Sequence, residues 1–304
     1  MLVLRDQLKN LYAEYDRYIL AVVKYAMALF TFISVNRMLG YMDLLNSVLV
    51  ILLLAAVCTI LPWNATPVLG IALVILHCFA LGLEIGACAV VLYLILLIFY
   101  FRFVPDDGLA LTLMSALGSI GFPGIVPIGL GLMRSPVSAC TAACSTISWF
   151  FIRVVHEVAA PLKYTSESSS LEIVQAILAG MLNNRELLVY IITFSAVVLV
   201  VSLIGRSGMN WGWQLAIFAG CILQTSLFIV LTAAFSAEAD LVSFLLGTIA
   251  AAAVSFVLAY FVYNVDYKGA ERFQFEDDEF MYYVKAIPKR QSSASERDGN
   301  QTAD

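Results

Sequence analysis

Residues 187–205 read LLVYIITFSAVVLVVSLIG, nineteen positions without a charged side chain. Wound as a helix the run is about 28 Å long, close to the roughly 30 Å hydrocarbon core of a bilayer. Comparable runs recur on both sides of it, at about 18–36, 44–61, 67–82, 85–101, 136–155, 213–235 and 241–263. Together they predict eight transmembrane helices. Of all 304 residues 62% are hydrophobic and 13% charged, with a mean hydropathy of +0.90. Soluble domains sit near 45–50% apolar and 25% charged, so a soluble globular enzyme is excluded. The expected fold is an all-α polytopic bundle surrounded by lipid.

One uncharged stretch does not read as an ordinary span. Residues 109–133, LALTLMSALGSIGFPGIVPIGLGLM, hold five glycines and two prolines. Pro123 and Pro127 each remove a backbone donor, and the glycines lower helix propensity. Broken backbone at membrane depth survives only against protein or a wet cavity. The expectation is two half-helices meeting at Gly121-Phe122-Pro123-Gly124, re-entrant rather than crossing. A kinked packing helix is the alternative.

Residues 1–17 set Leu4, Leu8, Leu11 and Tyr15 at helical spacing among Arg5, Lys9 and Arg17. That pattern suits an amphipathic helix lying in the interface. A second short amphipathic segment is expected at 171–182. Residues 18–264 form the transmembrane domain, and 265–304 a charged tail with nine acids and six bases. With both termini cytoplasmic, twelve Lys and Arg fall inside and four outside, in keeping with the positive-inside rule. Lys24 falls within the first span.

Candidate substrate-binding residues cluster on the broken segment and the polar span after it: Gly121, Pro123, Gly124, Pro127, Ser138 and Thr141. Exposed carbonyls and half-helix ends can hold a solute there, as in discontinuous transporter helices. Glu84, His77 and Lys24 are candidate ion-coupling residues, because ionisable groups at membrane depth are costly. Glu84 can equally sit in a wet turn between the third and fourth spans, with His77 structural. Arg153 and Glu157 are spaced i,i+4 and can pair. The six cysteines include no CxxC, which suits packing thiols rather than a metal or redox motif.

The tail stretch FQFEDDEFMYYVKAIPK, Phe273 to Lys289, interleaves aromatics with four consecutive acids. Phe275, Asp277, Asp278, Phe280, Tyr282 and Tyr283 are candidate partner-binding residues. They suit a docking peptide that adds as a strand to a cytosolic protein, or a segment folded back on the body. No GxxxxGK[ST], HExxH or GxSxG occurs, so ATP hydrolysis and zincin or serine-hydrolase chemistry lack a motif. No cofactor, metal or nucleic-acid site is expected; the lipid bilayer is the certain neighbour.

The segment Phe275 to Lys289 resembles the FEDDEYxYYVKAxPK tail of uncharacterised multi-pass membrane proteins of clostridial bacteria, sometimes labelled transporter permeases. Pro123 to Ala139 is loosely similar to the substrate-capture subunits of energy-coupling-factor importers. The resemblances imply a non-ATPase permease subunit in a bacterial plasma membrane, with a separate ATPase subunit as a possible partner of the tail. Neither assigns a role to an individual residue. The competing expectation is a scaffold for envelope assembly or secretion.

Overall fold

The computed structural model describes residues 2–161, 170–207, 211–259, 271–276 and 281–286. From 2 to 259 the described elements are helical: α1 (Leu2–Met38), α2 (Val48–Ile60), α3 (Ala65–Leu81) and α4 (Leu83–Phe103) come first. There follow α5 (Gly108–Ser119), α6 (Ile125–Met133), α7 (Ala139–Val154) and α8 (Ser170–Leu182). The last are α9 (Arg185–Gly205), α10 (Gly212–Phe235) and α11 (Leu241–Ala259). Residues 20–259 pack as one unit, and 1–19 with 260–304 group apart. Within the latter, the helix preceding the first span has a non-helical residue at Tyr15 (φ −120°, ψ 26°).

The tail departs from a purely helical chain. β1 (Glu271–Glu276) and β2 (Met281–Ala286) pair antiparallel, with Phe275 opposite Tyr282 and Gln274 opposite Tyr283. Their aromatic and β-branched content suits strands. Asp277, Asp278 and Phe280 lie outside the described residues.

Among the described residues six segments are long and apolar enough to cross a membrane: 18–38, 83–103, 136–157, 185–205, 212–235 and 241–259. Two expected spans come out short. α2 has 13 residues and α3 has 17. Leu61 adopts extended backbone before Pro62, as a residue ahead of proline does, and ends α2 early. At its other end residues 43–46 form turns that the hydropathy pattern cannot distinguish from helix.

Burial is inverted relative to a soluble bundle. Leu203, Ile222 and Ile249 are more than 60% exposed, whereas Thr193, Ser202, Ser145 and Thr146 are completely buried. In α10 only Gly212, Ala216, Ile217, Gly220, Gln224 and Phe228 are buried. Large aliphatic side chains face outward because lipid, unlike water, does not expel them. Small hydroxyl residues turn inward, where helices approach closely and their hydroxyls find backbone carbonyls; Thr146 Oγ1, for instance, donates to Ala142 O at 2.7 Å. The chain is a multi-pass membrane protein.

The broken segment is a hairpin. Asp107 precedes α5 and Arg134 follows α6, and Arg134 Nε lies 3.0 Å from Asp107 Oδ1, in an ion pair not aligned for a hydrogen bond. A segment whose two ends touch leaves the bundle at the end where it came in. The turn, residues 120–124, needs Gly121 at φ +86°, a left-handed conformation that favours glycine. Pro123 follows, and α6 restarts at Ile125.

Around the hairpin, Gly131 of α6 and Gly220 of α10 both press on Val201 of α9; a Cβ on either would lie within 2.7 Å of its side chain. Tyr190 of α9 stands among Trp149, Phe194, Phe228 and Phe244, with ring centroids 5.1 to 5.8 Å away. Asn184 caps α9, its Oδ1 accepting from Leu187 N at 3.1 Å. Asn184→Ala should cost about 1 kcal/mol, read as a lower thermal midpoint of the detergent-purified chain.

Candidate functional site

A cavity of about 410 Å³ opens at the tip of the hairpin. Gly118, Ser119, Gly121, Pro123 and Gly124 supply one wall. Trp149 and Arg153 of α7, Glu186 and Tyr190 of α9, and Gln224 of α10 supply the facing one. Glu238 and Asp240, with Ser243, Phe244 and Gly247 of α11, complete the rim. Two glycines set how closely the tip seats. A Cβ on Gly124 would lie 2.2 Å from Gln224 Nε2, and one on Gly247 would lie 3.0 Å from Gly121 O.

Arg153 holds two carboxylates at once. Its Nε donates to Glu157 Oε1 at 3.0 Å, and Nη1 to Glu186 Oε1 at 2.9 Å. Glu157 lies in a π turn, Val155–Ala159, that extends α7. Such turns recur at functional sites because the inserted residue re-aims side chains. The i,i+4 pairing is legible in the sequence. The second partner, Glu186, is thirty-three positions away and is not.

Asp240 lies in the connection before α11. Its Oδ1 accepts from Val242 N and Ser243 N, and its Oδ2 from Ser243 Oγ. These bonds, the Ser243 hydroxyl first, hold its carboxyl below the ordinary range. A carboxyl whose pKa is lower folded than unfolded stabilises above the unfolded value, near pH 4, and that contribution fades as pH falls through the folded one. The protection of the Val242 and Ser243 amides, relative to their intrinsic exchange rates, should therefore fall below about pH 4, and Asp240→Asn should flatten this dependence.

The structure brings only part of the predicted set together. Gly121, Pro123 and Gly124 line the cavity. Pro127 is buried within α6. Ser138 and Thr141 sit at the other end of the hairpin, where Thr141 Oγ1 donates to Asp107 Oδ2 at 3.5 Å. Glu84, His77 and Lys24 do not line the cavity. Gly82 interrupts the helix between His77 and Glu84, so they do not share a continuous face. Glu84 falls in the first turn of α4, at the edge of an apolar lateral groove of about 650 Å³. His77 is fully buried; Nδ1 accepts from Met42 N at 3.2 Å, and Nε2 lies 2.5 Å from Asn36 Oδ1. That pattern fixes the neutral ring with its proton on Nε2. Lys24 donates to Leu61 O at 3.1 Å and lies over the Trp63 ring.

Among the residues missed by sequence reading are Ser119, Trp149, Glu186, Tyr190, Gln224, Glu238, Asp240, Ser243 and Gly247. Gln224 had one available signal, an amide in the middle of a mostly apolar span. The two ends of the bundle also differ in charge. Arg102 in the last turn of α4, with Arg134 and Arg206 just after α6 and α9, lies at the Asp107 end, while at the cavity end Glu157, Glu186, Glu238 and Asp240 outnumber Arg37, Arg153 and Arg185. Comparison with protein-family models, with curated proteins and with solved structures gives no match. The assignment therefore stands at the class the fold defines, a polytopic helical membrane protein with a polar cavity at a broken hairpin.

Proposed function

We propose that the chain is a non-ATPase transporter or permease subunit of a bacterial plasma membrane, with its solute site in the hairpin-tip cavity. The observation that carries this reading is the placement of that cavity: 410 Å³ of space against interrupted backbone at one end of the bundle. Broken helices beside a wet cavity are the usual way a membrane protein presents backbone polar groups to a solute. The charge difference between the ends supports cytoplasmic termini. The basic end faces inward; the first span, from about residue 20, starts there and α11 ends there, since Met38 and Gly247 lie at the cavity. The 108–133 segment is then a re-entrant hairpin rising from the cytoplasmic side.

Transport requires the tip to be reached from both faces in turn. Ser119→Cys, in a chain whose six native cysteines are replaced, should react with a membrane-impermeant maleimide in intact cells and also in inverted vesicles. Reaction from one face alone would favour a scaffold with a fixed vestibule. The hairpin of β1 and β2 supports that second reading for the tail, because a two-stranded sheet offers edges to a cytosolic protein or a separate ATPase subunit. Crosslinking in cells should capture a specific partner with the full chain and lose it with a chain ending at 264.

A further inference from the structure

Helices α1 and α2 flank a groove of about 480 Å³. Leu29, Ile33 and Arg37 stand four apart on α1 and so form one stripe along it. Val48, Ile51 and Leu52 face them from α2. From Leu29 to Arg37 the stripe runs about 12 Å, most of the roughly 15 Å of hydrocarbon in one leaflet. Ile33 is 47% exposed and Val48 70%, so the groove opens sideways to the bilayer rather than into the bundle.

Apolar and polar side chains are segregated along this groove. The walls are aliphatic, and the polar side chains, Arg37, Asn36 and Asn46, gather where α1 stops. That is the cavity end of the molecule, since Met38 lines the cavity. Among the described residues no carboxylate lines the groove and none pairs with Arg37. Asn36 Nδ2 donates to Leu45 O at 2.9 Å, which holds the connection that presents Asn46. A guanidinium offers several donors in a planar fork that matches phosphate oxygens. Beneath it, the aliphatic slot offers a free phosphate nothing and a hydrocarbon tail its full length. A second copy meeting this face by two-fold symmetry would bring two guanidiniums to the same depth, so charge disfavours that occupant.

We propose that the groove holds one anionic phospholipid, its phosphate on Arg37 and Asn46 and one tail along Leu29, Ile33 and Leu52. The site is independent of the transport reading.

The test uses the full chain purified in a non-ionic detergent and examined by native mass spectrometry. The probes are dioleoyl phosphatidylglycerol and dioleoyl phosphatidylcholine, which share their tails and differ in charge. One phosphatidylglycerol retained per chain, in preference to phosphatidylcholine, is expected. Arg37→Gln should weaken that retention about fivefold, the scale for one basic residue at an anionic surface, and leave phosphatidylcholine unchanged. Ile33→Trp, which fills the slot, should abolish retention with the charge intact. Both side chains are exposed, so both variants should fold. As a second readout, added phosphatidylglycerol should raise the thermal midpoint of the native chain and not that of Arg37→Gln. Equal retention of the two lipids, or phosphatidylglycerol retention untouched by Arg37→Gln, overturns the proposal. Competition by glycerol phosphate at the same concentration also overturns it and assigns the polar end to free phosphate. A dimer that Ile33→Trp dissolves overturns it in favour of a second copy.

Discussion

Arg134→Ala should destabilise the protein by about 3 kcal/mol, the scale found when one partner of a buried ion pair is removed. The Asp107 side chain is 1% exposed, and Arg134, 3.0 Å away, is 46% exposed. Removing the arginine strands a carboxylate that Thr141 alone, at 3.5 Å, cannot satisfy. The mirror change, Asp107→Ala, leaves an arginine already half in solvent, so it should cost clearly less. The measurement is the thermal midpoint of each variant in detergent, with Arg134→Lys as control. Equal losses from the two alanine variants would mean that the pair does not fasten the base of the hairpin. A loosened base should also raise maleimide reactivity at Ser119→Cys, because the tip it supports lines the cavity.

The second large effect is expected at His77. Its ring accepts from Met42 N, and its Nε2–H donates to Asn36 Oδ1, whose own amide donates to Leu45 O at 2.9 Å. Asn36 near the end of α1, and Met42 N and Leu45 O in the connection to α2, thus depend on one imidazole. His77→Ala leaves Met42 N and Asn36 Oδ1 unpaired in a dry setting, at about 1–3 kcal/mol for each group, and opens a void as well. A total near 3 kcal/mol is expected, again as a fall in thermal midpoint. His77→Gln, which can replace one of the two bonds, should recover part of it. A His77→Gln protein with unchanged midpoint but abolished proton-dependent uptake would point to ion coupling instead.

The membrane class and the broken hairpin were legible because each rests on local composition. Lipid selects long apolar runs, and Gly121 with Pro123 cannot continue a helix whatever surrounds them. The length of α2 was not legible, because the turn at 43–46 contains Leu44 and Leu45, which hydropathy counts as span. The cavity was legible only on its hairpin side. Its facing wall comes from α7, α9, α10 and α11, and nothing local in Glu186, Gln224 or Asp240 says that they converge. His77 illustrates the opposite error. An ionisable group at depth reads as functional, yet its partners are a backbone amide and Asn36, brought close by the fold.

α2, with 13 residues, reaches about 20 Å, whereas the hydrocarbon slab measures about 30 Å. Leu49, Leu53 and Ile60 on it are all more than half exposed, so lipid tails rather than protein cover that face. Were α2 to cross, acyl chains there would have to shorten or tilt to meet it and draw the headgroups inward into a local dimple. The protein would then favour thinner leaflets along this flank, and reconstitution in lipids of graded chain length should give the highest thermal midpoint in the shorter ones.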